Sequence, residues 1–265
     1  MDAYDFTLNP YSGCSFGCAY CYAAFFSRNE EKRDSWGEWV NVKENAVALM
    51  AKRRPGSLDG KLIYMSSVTD PYQPVERELN LTRGILEIMA ERHKPKLVVQ
   101  TRSPLVARDC DLLRQIEDKG GRVQVNMTVT TDDEDIRRKF EPYCPGNHRR
   151  LEATKEVQAA GIDTCITMTP LLLVNNNGDF ADELIGTGVT KFIAQPFHFV
   201  RGKFVASTRE GALSLMAEKL GCGRDDFGPE YLGRYQEFFE ILNNRLLDNG
   251  LPPLGEGKDG FAPPF

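Results

Sequence analysis

No apolar run in this 265-residue chain approaches the roughly 20 residues that a membrane-spanning helix needs. The first twenty residues also lack the basic, apolar and small-residue succession of a secretory signal peptide. With both missing, the expectation is a soluble, cytoplasmic protein, away from membranes, whose cysteines stay reduced. An excess of positive charge is missing too: 33 Lys and Arg face 38 Asp and Glu, a net charge of −5. That balance disfavours wholesale attraction to nucleic acid or an anionic membrane, and leaves only local pairs such as Arg53-Arg54 and Arg149-Arg150 for a basic rim. A Walker loop, a dinucleotide-binding glycine fingerprint and a Ser-His-Asp arrangement are absent as well.

Cysteine is sparse, and its distribution decides its use. Seven cysteines are too few and too clustered for a disulfide framework in a chain of this length. Cys110, Cys144, Cys165 and Cys222 are scattered singly, whereas Cys14, Cys18 and Cys21 fall within "NPYSGCSFGCAYCYA", residues 9–23. A structural zinc site normally takes four ligands, usually as two close pairs, and no second C-x2-C pair exists here. The C-x3-C-x2-C spacing instead folds one loop around a single metal object. Iron–sulfur clusters are held by such loops, and three thiolates would leave one iron of a 4Fe-4S cluster free to take a small molecule. Zinc is the alternative, with the cluster favoured by the missing fourth ligand. Cys144 and His148 show a C-x3-H spacing that would need further partners to bind metal.

The trio, with Tyr20 just before its last cysteine, resembles the signature of the radical S-adenosylmethionine (SAM) superfamily. The flanking residues, together with "SSVTDPYQPVE" at 66–76, are similar to the subgroup related to spore photoproduct lyase, over roughly residues 5–200. The resemblance implies a 4Fe-4S cluster on Cys14, Cys18 and Cys21, with SAM chelated to the open iron. Reductive cleavage of SAM would then give a 5'-deoxyadenosyl radical that abstracts hydrogen from a substrate. A flavodoxin- or ferredoxin-type reductant is implied by that chemistry.

The rest of the chain alternates strand-like and helix-like segments, so the expected fold class is α/β, a partial (β/α)6 TIM-like barrel of the radical SAM type. Strands are expected at 6–8, 61–67, 96–101, 122–131, 163–170 and 190–196. Helices are expected at 81–92, 108–119, 132–140, 149–160 and 179–186, with Asn80 as an N-cap. Residues 1–200 form the core in this reading. Residues 201–265 add a C-terminal helical extension and a Gly/Pro-rich tail, ordered or serving as a lid. In "VQVNMTVTT", Val123, Val125, Met127 and Val129 alternate with Gln124, Asn126, Thr128 and Thr130. With helices outside, the polar face points inward, which implies an open cavity holding a polar ligand.

Active sites of such barrels lie at the carboxyl ends of the strands. Ser66, Ser67, Thr69 and Asp70 follow strand two, Arg102 and Ser103 follow strand three, and Asn126 and Thr128 belong to strand four. The resemblance implies that the loop after strand two holds the SAM amino group and that Arg102 pairs with its carboxylate, which a guanidinium grips bidentately. Asp70 before Pro71 is also a turn former. Tyr20 is expected to shield the cluster or pack near adenine, and Tyr22 to be a candidate for radical relay. Ser67 stands where the lyase subgroup has a hydrogen-donating cysteine, which puts thymine-dimer repair in doubt. Cys165, on the inner face of strand five, is the remaining candidate thiol. His93 is expected at a helix end, interacting with the dipole, and His198 near the mouth. Two rival classes stay open: a nucleic-acid repair lyase, and a noncatalytic iron–sulfur or metal-binding module.

Overall fold

The computed structural model describes residues 3–199 and 209–265. In chain order the strands are β1 (Phe6–Leu8), β2 (Tyr11–Gly13), β3 (Val40–Val42), β4 (Leu62–Met65), β5 (Lys96–Thr101), β6 (Arg122–Thr128), β7 (Asp163–Met168), β8 (Lys191–Ala194) and β9 (Gly255–Glu256). The helices are α1 (Glu30–Asp34), α2 (Ala46–Ala51), α3 (Glu76–Leu79), α4 (Leu81–Arg92), α5 (Cys110–Asp118), α6 (Glu134–Phe140), α7 (Asn147–Ala159), α8 (Asn177–Ile185), α9 (Glu210–Leu220), α10 (Phe227–Asp248) and α11 (Gly257–Gly260).

Seven strands make one sheet in the order β1-β4-β5-β6-β7-β8-β9, and every neighbouring pair is parallel. Parallel neighbours need crossovers, and the helices supply them. The six expected strands are all present and in sequence order, so the α/β reading and its sheet hold. The seventh strand, β9, comes from the Gly/Pro-rich tail and pairs with β8 at Ile193 and Ala194. Glu256 of that strand accepts from the Tyr235 hydroxyl on α10 at 2.6 Å, which fixes the tail to the helical extension. The boundary drawn at residues 200–201 lies outside the described residues.

The alternation in β6 has the expected consequence on one face and a different one on the other. Val123, Val125 and Met127 are buried against the helical layer. Gln124, Asn126 and Thr128 are also buried, and part of their polarity is spent within the sheet. Gln124 donates to Asn126 at 2.8 Å, Gln100 donates to Thr128 at 2.7 Å and Thr167 at 3.0 Å, and Lys191 donates to Gln124 at 2.9 Å. The lumen therefore has a hydrogen-bonded floor, and open space only towards the carboxyl ends of the strands. Satisfying each group is what makes so polar an interior affordable.

Helix termini depart from the expectation at one place. Asn80 adopts a left-handed conformation (φ 51°) and its side chain makes no cap to α4. The buried Glu76 carboxylate takes that role, accepting from Thr82 N at 2.9 Å and Arg83 N at 3.2 Å. Asn80 instead accepts from Arg108.

Candidate active site

A cavity of about 580 Å³ opens at the carboxyl ends of the parallel strands, within the usual range for small-molecule sites. Cys14, Cys18 and Cys21 line it, together with Ser66, Asp70 and Arg102. The cysteine loop enters through β2, which pairs antiparallel with β3, a two-stranded ribbon not anticipated from the sequence. Gly13 ends that strand at φ +84°, where an added Cβ would lie 2.5 Å from the Trp39 ring, so only glycine fits. The loop then turns on Cys21 N to Cys18 O at 3.1 Å, and Ser15 N donates to Gln73 at 3.0 Å.

Cys14 and Cys18 are buried and Cys21 is half-buried. Burial, then Asp70 and the two neighbouring cysteines, pushes the Cys14 thiol well up; burial and Cys18 push Cys21 up to about 11. Cys18 runs the other way, lowered by its contact with Cys144 and by Arg102 against the effect of burial. These mutual influences mark one cluster of soft donors. Among the described residues, no three His, Cys, Asp or Glu side chains are gathered tightly enough for a single metal ion. A cubane cluster has no such need, because it binds each thiolate at a different iron. The donor set thus fits an iron–sulfur cluster.

Beside the thiols lies a buried ionic centre. The Tyr20 hydroxyl donates to Glu141, and Arg150 Nη2 lies 2.5 Å from the other carboxylate oxygen. Arg150 and Glu141 are both inaccessible to solvent. Thr130 donates to Glu141 at 2.8 Å, and Arg102 Nε stands 3.7 Å from it. Burial alone would raise the Glu141 carboxyl, but Arg150 and Arg102 outweigh it and hold the group at about 2. Burial opposes the Arg102 charge; Tyr20, Cys18 and Glu141 overcome it and keep Arg102 well above its usual range. Tyr20 is therefore a tether of the cysteine loop, with its hydroxyl engaged by Glu141 and Arg102 while its side chain lines the cavity.

Three buried polar atoms on cavity-lining residues have no hydrogen-bond partner among the described residues: Trp36 Nε1, Ser66 Oγ and Arg102 Nε. Ser66 also has φ +75°, a conformation that costs a non-glycine residue on the order of 1–3 kcal/mol. Strain and an unmade hydrogen bond at one cavity-lining residue mark a place for a ligand. Asn9 locks this strained turn: its Oδ1 accepts from Ser67 N at 3.0 Å and Val68 N at 3.2 Å, and its Nδ2 donates to Ser67 Oγ. Thr69 donates to Gly13 O, and Tyr22, exposed in the cavity, donates to Ser67 O. Asp70 combines its two expected roles. It accepts from Tyr72 N in a turn, and from Thr101 Oγ1 and Arg102 N, all at 2.8 Å, so it anchors Arg102 at the end of β5.

Not every expected residue joins the cavity. Thr128 lines it, but Asn126 stays in the floor, bonded to Gln124 and Gln100. Ser103 caps the 3-10 turn Pro104–Asp109 by accepting from Leu105 N. Cys165 is buried and does not line the cavity, and burial pushes its thiol up to about 12, so it stays protonated. Cys144 and His148 do not meet around a metal: Cys144 turns inward and His148 outward. His93 sits at the C-terminal end of α4 as expected, buried with both ring nitrogens lacking a hydrogen-bond partner among the described residues, and burial lowers its pKa. His198 lines the cavity. Sequence reasoning missed Asn9 and Glu141, which have partners far away along the chain, and the buried pairing of Arg150 with Glu141.

Three thiols thus share one cavity with unpartnered polar atoms at the carboxyl end of a parallel α/β sheet. The sequence profile of the Radical SAM superfamily matches residues 8–184, most of the chain. The protein belongs to the radical SAM superfamily. An uncharacterized protein of Methanocaldococcus jannaschii is 36% identical over 242 residues, covering 91% of this chain and 80% of that protein. A mutant of spore photoproduct lyase matches 96% of this chain and 76% of its own at a TM-score of 0.53 and 14% identity. Streptococcus suis SuiB bound to S-adenosylmethionine matches 95% of this chain and 49% of its own at 0.52 and 12%. At these identities the structural likeness carries the fold alone. No helix among the described residues is long and apolar enough to cross a membrane.

Proposed function

We propose that this radical SAM protein is an enzyme that carries a 4Fe-4S cluster on Cys14, Cys18 and Cys21 and acts by hydrogen abstraction on a substrate held in the lumen. The observation that carries the reading is the gathering of the three thiols, Ser66 Oγ and Arg102 Nε on one cavity. When bound, the cluster and SAM supply a reductively generated 5'-deoxyadenosyl radical.

The chain's own residues do the rest. Arg102 is held charged at the cavity wall and would pair with the SAM carboxylate. Ser66 Oγ, with Ser67 and Thr69 lining the same cavity, would receive the SAM amino group. Tyr20 and Glu141 hold the cysteine loop still, so that three thiolates stay aimed at one object. The remaining polar lining, Tyr22, Tyr64, Gln100, Thr128 and Gln195, carries neutral polar and aromatic groups, which suit an uncharged polar substrate fragment. Electrons would come from an outside donor of the flavodoxin or ferredoxin class.

Photoproduct repair is not proposed, because Ser67 offers a hydroxyl, a far poorer hydrogen-atom donor than a thiol. Anaerobic reconstitution tests the cluster. Iron and sulfide in cubane proportion, with a paramagnetic signal that changes on adding SAM, are expected for the natural sequence and lost in Cys18→Ala. A protein that takes up zinc in preference and gives no SAM-dependent signal would overturn the reading.

A further inference from the structure

Cys144 lies outside the C-x3-C-x2-C stretch yet touches it. Its Sγ stands 3.6 Å from Cys18 Sγ, with both thiols buried. The contact is held from both sides. Cys18, Ala19 and Tyr20 face Cys144, Phe140 and Glu141 in turn: Ala19 N donates to Phe140 O at 2.7 Å, and Tyr20 donates to Glu141. The 140–144 segment is itself fixed by Arg137, whose Nη1 donates to Glu141 O at 3.0 Å and Cys144 O at 2.9 Å. Cys18 lines the cavity and Cys144 does not, so Cys144 sits behind the Cys18 sulfur, on the protein side.

Two thiols in contact leave the donor undecided, and ligation decides it. A cysteine bound to iron is a thiolate and has no proton to give. Each cubane iron takes one terminal ligand, so Cys144 does not share the iron of Cys18. We propose that Cys144 donates an S–H hydrogen bond to the ligating sulfur of Cys18 and thereby raises the reduction potential of the cluster. This rests on the cluster reading above. A hydrogen bond to a ligating sulfur draws off negative charge and favours the reduced state, which holds one more electron. Cys144 acts through Cys18 and touches neither substrate nor SAM in this account.

The test is a potentiometric titration of the anaerobically reconstituted protein, read by electron paramagnetic resonance of the reduced cluster. Cys144→Ala should shift the midpoint to more negative values, and Cys144→Ser, which keeps an O–H donor, should return part of the shift. A role in packing alone would not give that partial return. Coincident midpoints in the three loaded proteins would overturn the proposal and leave the cluster reading intact. Loss of the cluster in a folded Cys144→Ala protein would also overturn it, by making Cys144 a ligand. If the natural sequence loads no cluster, the underlying reading fails, and the proposal with it. Should Cys144→Ala not fold, Cys144→Val, which fills more of the space and has no donor, takes its place, and an unmoved midpoint in that variant contradicts the hydrogen bond.

Discussion

Tyr20 and Glu141 stand 121 positions apart, and the phenol of the first donates to the carboxylate of the second inside the protein. The bond ties the cysteine loop to the end of α6. The same carboxylate collects Arg150 and Thr130, and Arg102 bonds the Tyr20 oxygen at 3.1 Å. One buried anion thus sets the place of the cysteine loop and of a cavity-lining cation.

Tyr20→Phe keeps the ring and removes the hydroxyl, leaving Glu141 and Arg102 each one partner short. The expected loss is about 1–3 kcal/mol in denaturant melts of the cluster-free protein. The reconstituted variant should also release iron faster than the natural sequence under chelator. Unchanged stability and iron release would remove Tyr20 from the tether.

The Glu141 carboxyl lies at about 2 in the folded protein against an ordinary 4.5. A depressed carboxyl stabilises the fold above its unfolded pKa, and that contribution is lost as pH falls from 4.5 towards 2. By linkage the contribution is about 3 kcal/mol at neutral pH. Glu141→Gln should therefore be less stable near pH 7 and show a flatter stability profile across that acid window. Melting curves at a series of pH values check this, and two parallel profiles would contradict it.

Ser66 pays backbone strain without a compensating hydrogen bond in the protein. Ser66→Gly relieves the left-handed conformation, so thermal stability should hold or rise by up to about 1 kcal/mol. SAM affinity of the cluster-loaded protein should fall about tenfold, the value of one hydrogen bond. Stability lost with affinity kept would make Ser66 a structural residue.

Asn9→Ala leaves Ser67 N and Val68 N without their acceptor. A loss of about 1–3 kcal/mol is expected, with faster amide hydrogen exchange at Ser67 and Val68. Unchanged exchange at those amides would show that the turn does not depend on Asn9.

The parts of this protein visible in its sequence are those whose information is local. Val123 to Thr130 announce a strand because alternation has a period of two, and the cysteine trio announces a metal because its ligands share one loop. Parallel order followed from the repeated strand–helix rhythm, and Arg102 and Ser66 from their place after strands. Glu141 and Asn9 carry no local pattern, because each gains its meaning from a partner on another crossover, and Arg150 reads only as half of a basic pair until folding buries it against Glu141. Cys144 looked like one of four stray cysteines until folding set it 3.6 Å from Cys18, 126 positions away. The strand β9 was hidden for another reason: two residues between glycines and prolines have no periodicity to read. Asn80 has the composition of a cap, but the nearby Glu76 has the reach to bond two amides at once.

The central claim, that Cys14, Cys18 and Cys21 support SAM-dependent radical chemistry, is tested most directly by its by-product. Protein reconstituted without oxygen, reduced with dithionite and given SAM should release 5'-deoxyadenosine, detected by mass spectrometry. Cys18→Ala should release none. A natural-sequence protein with an intact cluster that forms no nucleoside, and whose paramagnetic spectrum is unchanged by SAM, would contradict the account.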